Sequence, residues 1–255
     1  MDLTVTNLSV SLGKRNVLED VSAVLRPGRV TAILGANGSG KTTLVKALAG
    51  LLPGDVRLGR QRIDALDSRE RARTIGYLPQ EGAVHWDVTV ESLVALGRLP
   101  HRAPFGGLSP RDQEAITGAM AATDVQDLAD RLVADLSGGE RARVLLARVL
   151  AGQPLWLLAD EPLASLDPVH QLGLLERLRV LAGEGMGIAI VLHDLVQAAR
   201  AADDVLLLKQ GRIVAFAPAA AALSPENLRT AFGVEVLQVP DEAGRLLPVP
   251  IGRSR

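Results

Sequence analysis

The chain has 255 residues, of which 47% are hydrophobic and 22% are charged. This composition excludes an intrinsically disordered protein, a collagen-like protein and a solvated charged chain. The 28 Lys and Arg residues nearly balance the 29 Asp and Glu residues, so we expect no nucleic-acid partner. The chain has no cysteine, which excludes disulfide bonds, a thiolate zinc site and thiol catalysis.

Neither a membrane span nor a secretory signal is visible in the sequence. No stretch approaches the ~18 consecutive apolar residues that a membrane-spanning helix needs. Residues 1–5 begin at once with a strand-like alternation and lack the basic and apolar regions of a signal peptide. We therefore expect a cytoplasmic location.

Short strands and turns are predicted for the first part of the chain. Alternating apolar residues indicate strands over residues 3–10 and 20–25, with a turn over 13–16 between them. A Pro-Gly turn follows, and residues 29–34 then form the most apolar of these strands.

A glycine-rich loop joins this third strand to a predicted helix. Residues 35–42 read Gly-Ala-Asn-Gly-Ser-Gly-Lys-Thr and fit the phosphate-loop pattern G-x-x-x-x-G-K-[ST]. Glycines let successive backbone N–H groups turn towards a phosphate, and the helix N-terminus adds positive partial charge. Lys41 would reach the β- and γ-phosphate oxygens, and the Thr42 hydroxyl would bind Mg²⁺. The placement between a strand and a helix favours this interpretation over a glycine turn without a ligand.

The middle of the chain contains a segment of a different kind. Strands predicted over 75–78, 155–158, 187–192 and 205–209 alternate with helices, which is typical of a mostly parallel α/β sheet. Residues 88–151 are instead predicted as consecutive helices, which indicates a helical subdomain inserted into the α/β core. The predicted helices cover 90–99, 111–122, 125–130 and 138–151, with a Pro- and Gly-rich connection over 100–110.

The last part of the chain predicts a helix over 225–232 and a hairpin of residues 234–239 with 245–249. Pro248 and Pro250 lack the N–H that a sheet ladder uses, so they limit the second strand to an edge.

Two acidic residues follow the apolar strand at 155–159. Burying carboxylates is costly, so a strand that delivers Asp160 and Glu161 at its carboxyl end is usually placing them in a site. Asp160 would hold Mg²⁺ through water, and Glu161 would polarise the water that attacks the γ-phosphate. The alternative is that the pair simply marks a helix N-terminus.

Residues 136–140, Leu-Ser-Gly-Gly-Glu, lead into the helix predicted over 138–151. Ser137 could be an ordinary N-cap of that helix. Two consecutive glycines weaken a helix start, however, and they permit close backbone approach to an anion. One phosphate loop places a phosphate at only one helix N-terminus. We therefore expect the N-terminus of this second helix to face a nucleotide held by another copy of the chain.

Taken together, these motifs resemble the ATP-binding subunit of an ABC transporter over nearly the whole chain, in that family's order and spacing. In the family, 35–42 is the Walker A motif, 136–140 is the signature motif and 165–167 is the D-loop. Gln80 would be the Q-loop residue, Asp160 and Glu161 would end Walker B, and His193 would be the switch histidine.

The resemblance implies ATP and Mg²⁺ as cofactors and assigns a role to each matching residue. The implied catalytic residues are Glu161, His193 and Gln80, and the implied Mg²⁺ ligands are Thr42, Gln80 and Asp160. The implied nucleotide-binding residues are Gly35, Asn37, Gly38, Ser39, Gly40, Lys41, Thr42, Thr43, Ser137, Gly138, Gly139 and Leu12.

The resemblance also implies the architecture and the partners. It predicts an α/β P-loop NTPase core with a mostly parallel sheet, an N-terminal antiparallel β subdomain and the inserted helical subdomain. One ABC ATPase domain would cover 1–255, with the core at about 1–82 and 154–225, the helical subdomain at 83–153 and a C-terminal extension at 226–255. Two copies would form a head-to-tail homodimer on a membrane permease dimer at the cytoplasmic face of the inner membrane. A substrate-binding protein would take part indirectly.

Two residues depart from the family pattern. Leu12 occupies the place where the family usually has an aromatic residue that stacks on adenine, and leucine offers no ring. Glu140 ends the signature, where Gln is commoner, and we expect this exchange to be tolerated.

The transported substrate is indicated by two shorter segments. Residues 98–101 and 167–171 resemble ATPases that serve importers of ferric siderophores, haem and cobalamin, although Pro100 and Pro168 could simply mark the end and the start of helices. The alternatives are a zinc or manganese importer, an exporter, a soluble ABC ATPase of DNA repair or translation, and a nucleotide-binding regulator. The soluble ATPases usually carry two cassettes or a long coiled coil, and a regulator would lack Asp160 or Glu161.

Overall fold

The computed structural model describes residues 1–80, 87–103, 106–164 and 166–254. Ser165 of the expected D-loop and part of the predicted 100–110 connection lie outside the described residues. In chain order the strands are β1 (Leu3–Leu12), β2 (Arg15–Leu25), β3 (Val30–Gly35), β4 (Val56–Leu58), β5 (Gln61–Arg62), β6 (Ile75–Leu78), β7 (Trp156–Asp160), β8 (Gly187–Val191), β9 (Asp204–Lys209), β10 (Arg212–Pro218), β11 (Val234–Pro240) and β12 (Leu246–Arg253). The helices are α1 (Lys41–Leu48), α2 (Ser68–Thr74), α3 (Val90–Ala95), α4 (Pro110–Ala122), α5 (Gly138–Ala151), α6 (Pro168–Gly183), α7 (Leu195–Ala201), α8 (Ala219–Ala222) and α9 (Pro225–Phe232).

A six-stranded sheet in the order β10-β9-β3-β8-β7-β6 forms the centre of the fold. Its strands from β9 to β6 are parallel, and β10 adds an antiparallel edge. The predicted mostly parallel sheet is therefore confirmed. Strand β10 is absent from the sequence prediction because most of its residues are only half-buried, so it lacks the fully apolar run of a central strand.

The parallel strands are apolar because both of their faces are covered. Leu157 and Ala159 of β7 pack into the cluster formed with the helices, whereas Trp156 and Leu158 face the cluster shared with α1 and the N-terminal strands. This alternation between two hydrophobic clusters explains why the strand reads as a continuous hydrophobic run. The same arrangement fixes which residues reach the end of each strand.

The N-terminal strands form a separate antiparallel sheet in the order β2-β1-β4-β5. The predicted antiparallel subdomain is confirmed, but β2 begins at Arg15, earlier than the predicted residue 20, so the turn is only Gly13-Lys14. Strands β4 and β5 and helix α2 were not predicted. They are short, and the residues of β5 and α2 have no buried face that would give a periodic signal.

Helices α3, α4 and α5 make up the predicted helical region, with two corrections. The helix expected over 90–99 ends at Ala95 and tightens into a 3₁₀ segment, Leu96–His101, because Pro100 cannot continue the α-helical hydrogen bonding. The helix expected over 125–130 is only one 3₁₀ turn, Gln126–Leu128. Leu128 and Ala129 are only partly buried against the core, and Gln126, Asp127 and Asp130 are exposed, so little apolar contact holds a longer helix there.

Helix α9 and the C-terminal hairpin of β11 and β12 are confirmed. Strand β12 passes through Pro248 and Pro250, which pair with Gln238 and Val236. Antiparallel pairs alternate between hydrogen-bonded and non-hydrogen-bonded pairs, so two prolines that lie two residues apart occupy pairs of the same kind. The nitrogens of both prolines can therefore point away from β11. Among the described residues, no helix combines the length and the apolar character needed to cross a membrane.

Arg98 ties the helical region together. Its guanidinium donates to Asp112 Oδ1 of α4 at 2.8 Å, to the Ala151 carbonyl of α5 at 2.8 Å and to Gln153 Oε1 at 3.1 Å. The Arg98 side chain is 4% exposed. Hydrogen bonds from Ser109, together with Arg98, hold the pKa of Asp112 well below its usual value, so this carboxylate stays ionised at neutral pH.

We expect Arg98→Ala to lower the free energy of unfolding by about 3–5 kcal/mol, because a buried carboxylate would lose its charged partner. Denaturant unfolding followed by circular dichroism measures this change. Arg57→Ala is the matched control, because Arg57 pairs with Asp55 at 3.0 Å on the surface and should contribute little. Equal losses in the two variants would contradict the structural role of Arg98.

Candidate functional site

The carboxyl edge of the parallel sheet brings the predicted site residues together. Strands β3, β6, β7 and β8 run in the same direction, so their carboxyl ends lie at one edge. The phosphate loop follows β3, Gln80 follows β6, Asp160 ends β7 just before Glu161, and His193 follows β8.

The phosphate loop curls because its glycines adopt left-handed backbone conformations. Gly38 has φ of 75° and Gly40 has φ of 105°. A Cβ atom on Gly40 would lie 2.6 Å from the Leu18 side chain of β2, so a larger residue would also push the loop away from its support. Both constraints require glycine at position 40.

Lys41 lies beneath this loop and is 6% exposed. Its Nζ donates to the Gly35 carbonyl at 2.9 Å and to the Ala36 carbonyl at 3.2 Å. Burial lowers the pKa of Lys41, and the carboxylates of Glu161 and Asp160 oppose this effect. The ammonium group is thus held by neutral carbonyls, which phosphate oxygens could replace.

Helix α1 leaves its first N–H groups free for a ligand. In the part of the chain that the structure describes, helices α2 to α7 and α9 each begin with an Asp, Ser or Thr side chain that accepts a backbone N–H. Helix α1 begins at Gly40 and has no side-chain cap. Its free N–H groups and helix dipole therefore suit a phosphate.

A cleft of about 640 Å³ opens over this helix N-terminus. Ten of the predicted site residues line it, namely Leu12, Asn37, Gly38, Gly40, Lys41, Thr42, Thr43, Gln80, Glu161 and His193. Of the other loop residues, Ser39 is buried at the base of the loop. The cleft thus joins the phosphate loop to the residues expected to act on the γ-phosphate.

Asp160 is a buried carboxylate without a hydrogen-bond donor among the described residues. It is 1% exposed, and burial raises its pKa, an effect that the nearby Thr42 hydroxyl and two lysines partly offset. An orphaned buried carboxylate beside the Thr42 hydroxyl fits the oxygen ligands that Mg²⁺ prefers, and Gln80 lines the same cleft as that hydroxyl. No cluster of three or more His, Cys, Asp or Glu within the described ranges could hold a metal by itself, so Mg²⁺ here would need phosphate oxygens as well.

Glu161 is held by two polar side chains from neighbouring strand ends. Gln80 Nε2 donates to Glu161 Oε2 at 2.7 Å, and His193 Nε2 lies 2.5 Å from Glu161 Oε1. Glu161 also has a φ of 53°, an unusual conformation for a residue other than glycine that turns the chain sharply after β7.

The residues of the predicted signature motif do not line this cleft. Ser137 caps α5 in a reciprocal arrangement, in which its Oγ accepts the Glu140 N–H and Glu140 Oε2 accepts the Ser137 N–H. The N-cap interpretation is therefore confirmed. Glu140 also pairs with Arg131 at 3.1 Å, which accounts for a carboxylate at this position. Within one chain, Ser137, Gly138 and Gly139 remain apart from the phosphate loop.

Two cleft residues, Arg15 and Val17, were missed by the sequence analysis. Arg15 lay in the turn predicted over 13–16 and Val17 in the gap before the strand predicted over 20–25, whereas β2 already begins at Arg15. Only the pairing of β1 with β2 would have revealed them, and a single sequence does not give that register.

Known proteins resemble this chain over most of its length. Residues 18–164 match the family model described as ABC transporter. The chain is 41% identical to a hemin import ATP-binding protein of Bordetella parapertussis, with 97% of this chain and 98% of that protein covered. A protein of the same name from Pseudomonas entomophila is 42% identical, with 93% and 95% covered. Among solved structures, an ATP-binding chain of a transporter described as metal-chelate type, in an inward-facing conformation, superposes with a TM-score of 0.84. That chain is 27% identical, and the match covers 98% of this chain and 97% of the other.

We expect Asp160→Asn to weaken Mg²⁺-dependent nucleotide binding while leaving the unfolding midpoint of the ligand-free protein unchanged or up to about 4 °C higher. The substitution removes a buried charge that has no partner, so stability should not fall. Differential scanning fluorimetry and nucleotide titration with and without Mg²⁺ measure the two effects.

Asp204→Asn serves as the control for this prediction. Asp204 accepts two hydrogen bonds from Arg29, at 2.6 and 2.9 Å, so the same substitution there should lower the midpoint. If Asp160→Asn lowered the unfolding midpoint as much as Asp204→Asn does, Asp160 would have a stabilising hydrogen-bond or charge partner in the folded protein.

Proposed function

The chain belongs to the ABC transporter family, and we propose that it hydrolyses ATP to drive import of haem, or of a related iron chelate, through a separate membrane permease. The observation that carries the proposal is the cleft that joins the phosphate loop to Glu161, next to the buried carboxylate of Asp160. The choice of haem rests on the relatives named for hemin import, which match nearly the entire chain. The segment around Arg98 supports the same choice, because it resembles ATPases of that transporter class.

In the proposed reaction the N–H groups of α1 and the ammonium of Lys41 hold the β- and γ-phosphates. Thr42, Gln80 and Asp160 would hold Mg²⁺, which neutralises developing phosphate charge when it is bound. Glu161 would accept a proton from the attacking water. Before nucleotide binds, its two oxygens are engaged by Gln80 and His193, so these donors would have to turn towards the γ-phosphate and water.

The second half of the site is proposed to come from another copy of the chain. Ser137, Gly138 and Gly139 lie at the start of α5, outside the cleft of their own chain. The capping box engages the Ser137 and Glu140 N–H groups, which leaves the glycine N–H groups without an intrahelical partner. In a head-to-tail homodimer these groups would meet the γ-phosphate held by the partner, so ATP would favour the closed dimer and hydrolysis would release it.

Movement of the helical region would transmit this closure to the permease. We propose that Gln80 lies at the hinge, since it follows β6 of the core and precedes the helical region that begins at α3. The permease would contact residues 82–98, of which 82–86 lie outside the described part of the chain. The chain would then be peripheral, at the cytoplasmic face of the inner membrane, and a substrate-binding protein would deliver haem from the other side.

We expect Glu161→Gln to slow ATP hydrolysis by at least about a hundredfold and to accumulate an ATP-bound dimer, because the amide cannot accept the proton from water. Single-turnover hydrolysis and size-exclusion chromatography with light scattering measure the two effects. His193→Ala is the companion variant and should lower turnover with nucleotide affinity retained. A Glu161→Gln protein that hydrolyses ATP normally and stays monomeric would refute the assigned role.

The transport function is tested with the chain and the permease that co-purifies with it from detergent-solubilised membranes. Reconstituted in proteoliposomes with the matching substrate-binding protein, the complex should take up haem only when ATP and the unmodified ATPase are present. Uptake of cobalamin or of zinc instead of haem would correct the substrate. Recovery of the chain only from the soluble fraction, without a membrane protein, would refute the proposed transport function but not the proposed ATPase activity.

A further inference from the structure

The outer end of the nucleotide cleft is formed by the tip of the β1–β2 hairpin. Leu12 and Arg15 pair directly across this tip, and the two residues between them make the turn, with Gly13 at φ of 61°. Leu12, Arg15 and Val17 all line the cleft, together with the phosphate loop. The hairpin therefore closes the cleft at the end where the part of a nucleotide beyond its phosphates would lie.

These three side chains share one face of the hairpin. The neighbouring pair, Ser11 and Asn16, lies on the opposite face and is joined by a hydrogen bond of 2.7 Å from Ser11 Oγ to Asn16 Oδ1. Arg15 pairs directly with Leu12 and so shares its side of the hairpin, and Val17, which lies at the register shift between the Ser11 and Val10 pairs, also lines the cleft. The cleft face thus presents one planar cation between two aliphatic side chains.

The Arg15 guanidinium extends over the phosphate loop. Its Nη2 lies 3.7 Å from the position that a Cβ atom on Gly38 would take, which is van der Waals contact distance from the loop. Within the described ranges Arg15 makes no ion pair or hydrogen bond, whereas Arg212 on the nearby β10 pairs with Glu19 of β2. Arg15 is thus oriented into the cleft without a partner from its own chain.

We propose that the Arg15 guanidinium is the surface on which the purine base of the nucleotide stacks, in place of an aromatic side chain. This inference rests on the proposed ATP-binding function and adds a specificity-determining residue to it. A guanidinium group is planar and weakly hydrated, and it stacks on aromatic rings. Leu12, which is 53% exposed, and Val17 supply the apolar contacts beside it.

A role in binding phosphate fits the arrangement less well. Lys41 is buried under the loop, and the first N–H groups of α1 are uncapped, so the phosphates already have charged and neutral donors at the inner end of the cleft. Arg15 stands instead at the hairpin end between two aliphatic residues, an environment that suits the face of a base rather than a phosphate.

The test compares nucleotide with a ligand that has phosphates but no base. Isothermal titration calorimetry on the full-length protein measures the affinity for MgATP and for magnesium tripolyphosphate. We expect Arg15→Ala to weaken MgATP binding about tenfold or more and to leave tripolyphosphate binding unchanged. Arg15→Lys should lose nearly as much ATP affinity, because lysine keeps the positive charge but lacks the planar guanidinium group. Arg15→Trp should retain the ATP affinity, because its ring is planar.

The matched control is Lys14→Ala, which removes one positive charge from the same hairpin tip and should change neither affinity. A ring introduced by Leu12→Tyr in the Arg15→Ala background should restore ATP affinity, which shows that a loss does not arise from misfolding.

Equal losses for ATP and tripolyphosphate, with Arg15→Lys behaving as the unmodified protein, would assign Arg15 to phosphate binding and overturn the proposal. Unchanged ATP affinity in Arg15→Ala would also overturn it while leaving the ATPase function intact, whereas an unmodified protein that binds no ATP would overturn both.

Discussion

The parallel alignment of β3, β6, β7 and β8 is the constraint on which the site depends. Both faces of these strands are buried, so their sequences are fixed by packing, and chemistry can begin only where each strand ends. The carboxyl ends meet at one edge, which is why residues as distant in sequence as Gln80, Glu161 and His193 come within hydrogen-bonding distance. A shift of β7 by one residue would turn Asp160 to the opposite face of the sheet and dismantle the site.

The site also contains the features that a protein selected only for stability would avoid. Asp160 is buried without a donor among the described residues, Glu161 has a left-handed backbone conformation, and α1 lacks the side-chain cap that α2 to α7 and α9 have. Each feature costs free energy in the ligand-free protein. One ligand would satisfy the first and the third of these features, because phosphate oxygens could accept from the helix N–H groups and Asp160 could help to hold Mg²⁺. The local defects therefore coincide with the expected position of MgATP.

The sequence predicts this fold best where burial dictates the residues. Strand β6 and helix α9 have the bounds that were predicted, and the apolar runs of the other parallel strands were recognised. Strands β5 and β10 were missed because edge positions tolerate polar or half-buried residues. The site motifs could be predicted because phosphate chemistry demands particular residues at fixed spacing. Arg15 could not, because its role depends on the register of a hairpin and not on a pattern along the chain.

The two ends of the proposed composite site are stabilised in opposite ways. Helix α5 is closed by its capping box, so the turn that carries Gly138 and Gly139 is ordered before any ligand arrives. Helix α1 is open at its N-terminus, and the loop before it is held by Lys41 and by backbone hydrogen bonds of Ser39 with Ala36 and Gly211. A preformed surface loses little conformational entropy on binding, whereas an uncapped helix gains most from a phosphate. In the proposed homodimer nucleotide would bind first to α1, and the bound γ-phosphate would then complete the surface that α5 of the partner subunit meets. This proposed order follows because α1 has no side-chain cap before the ligand binds, whereas α5 is already capped.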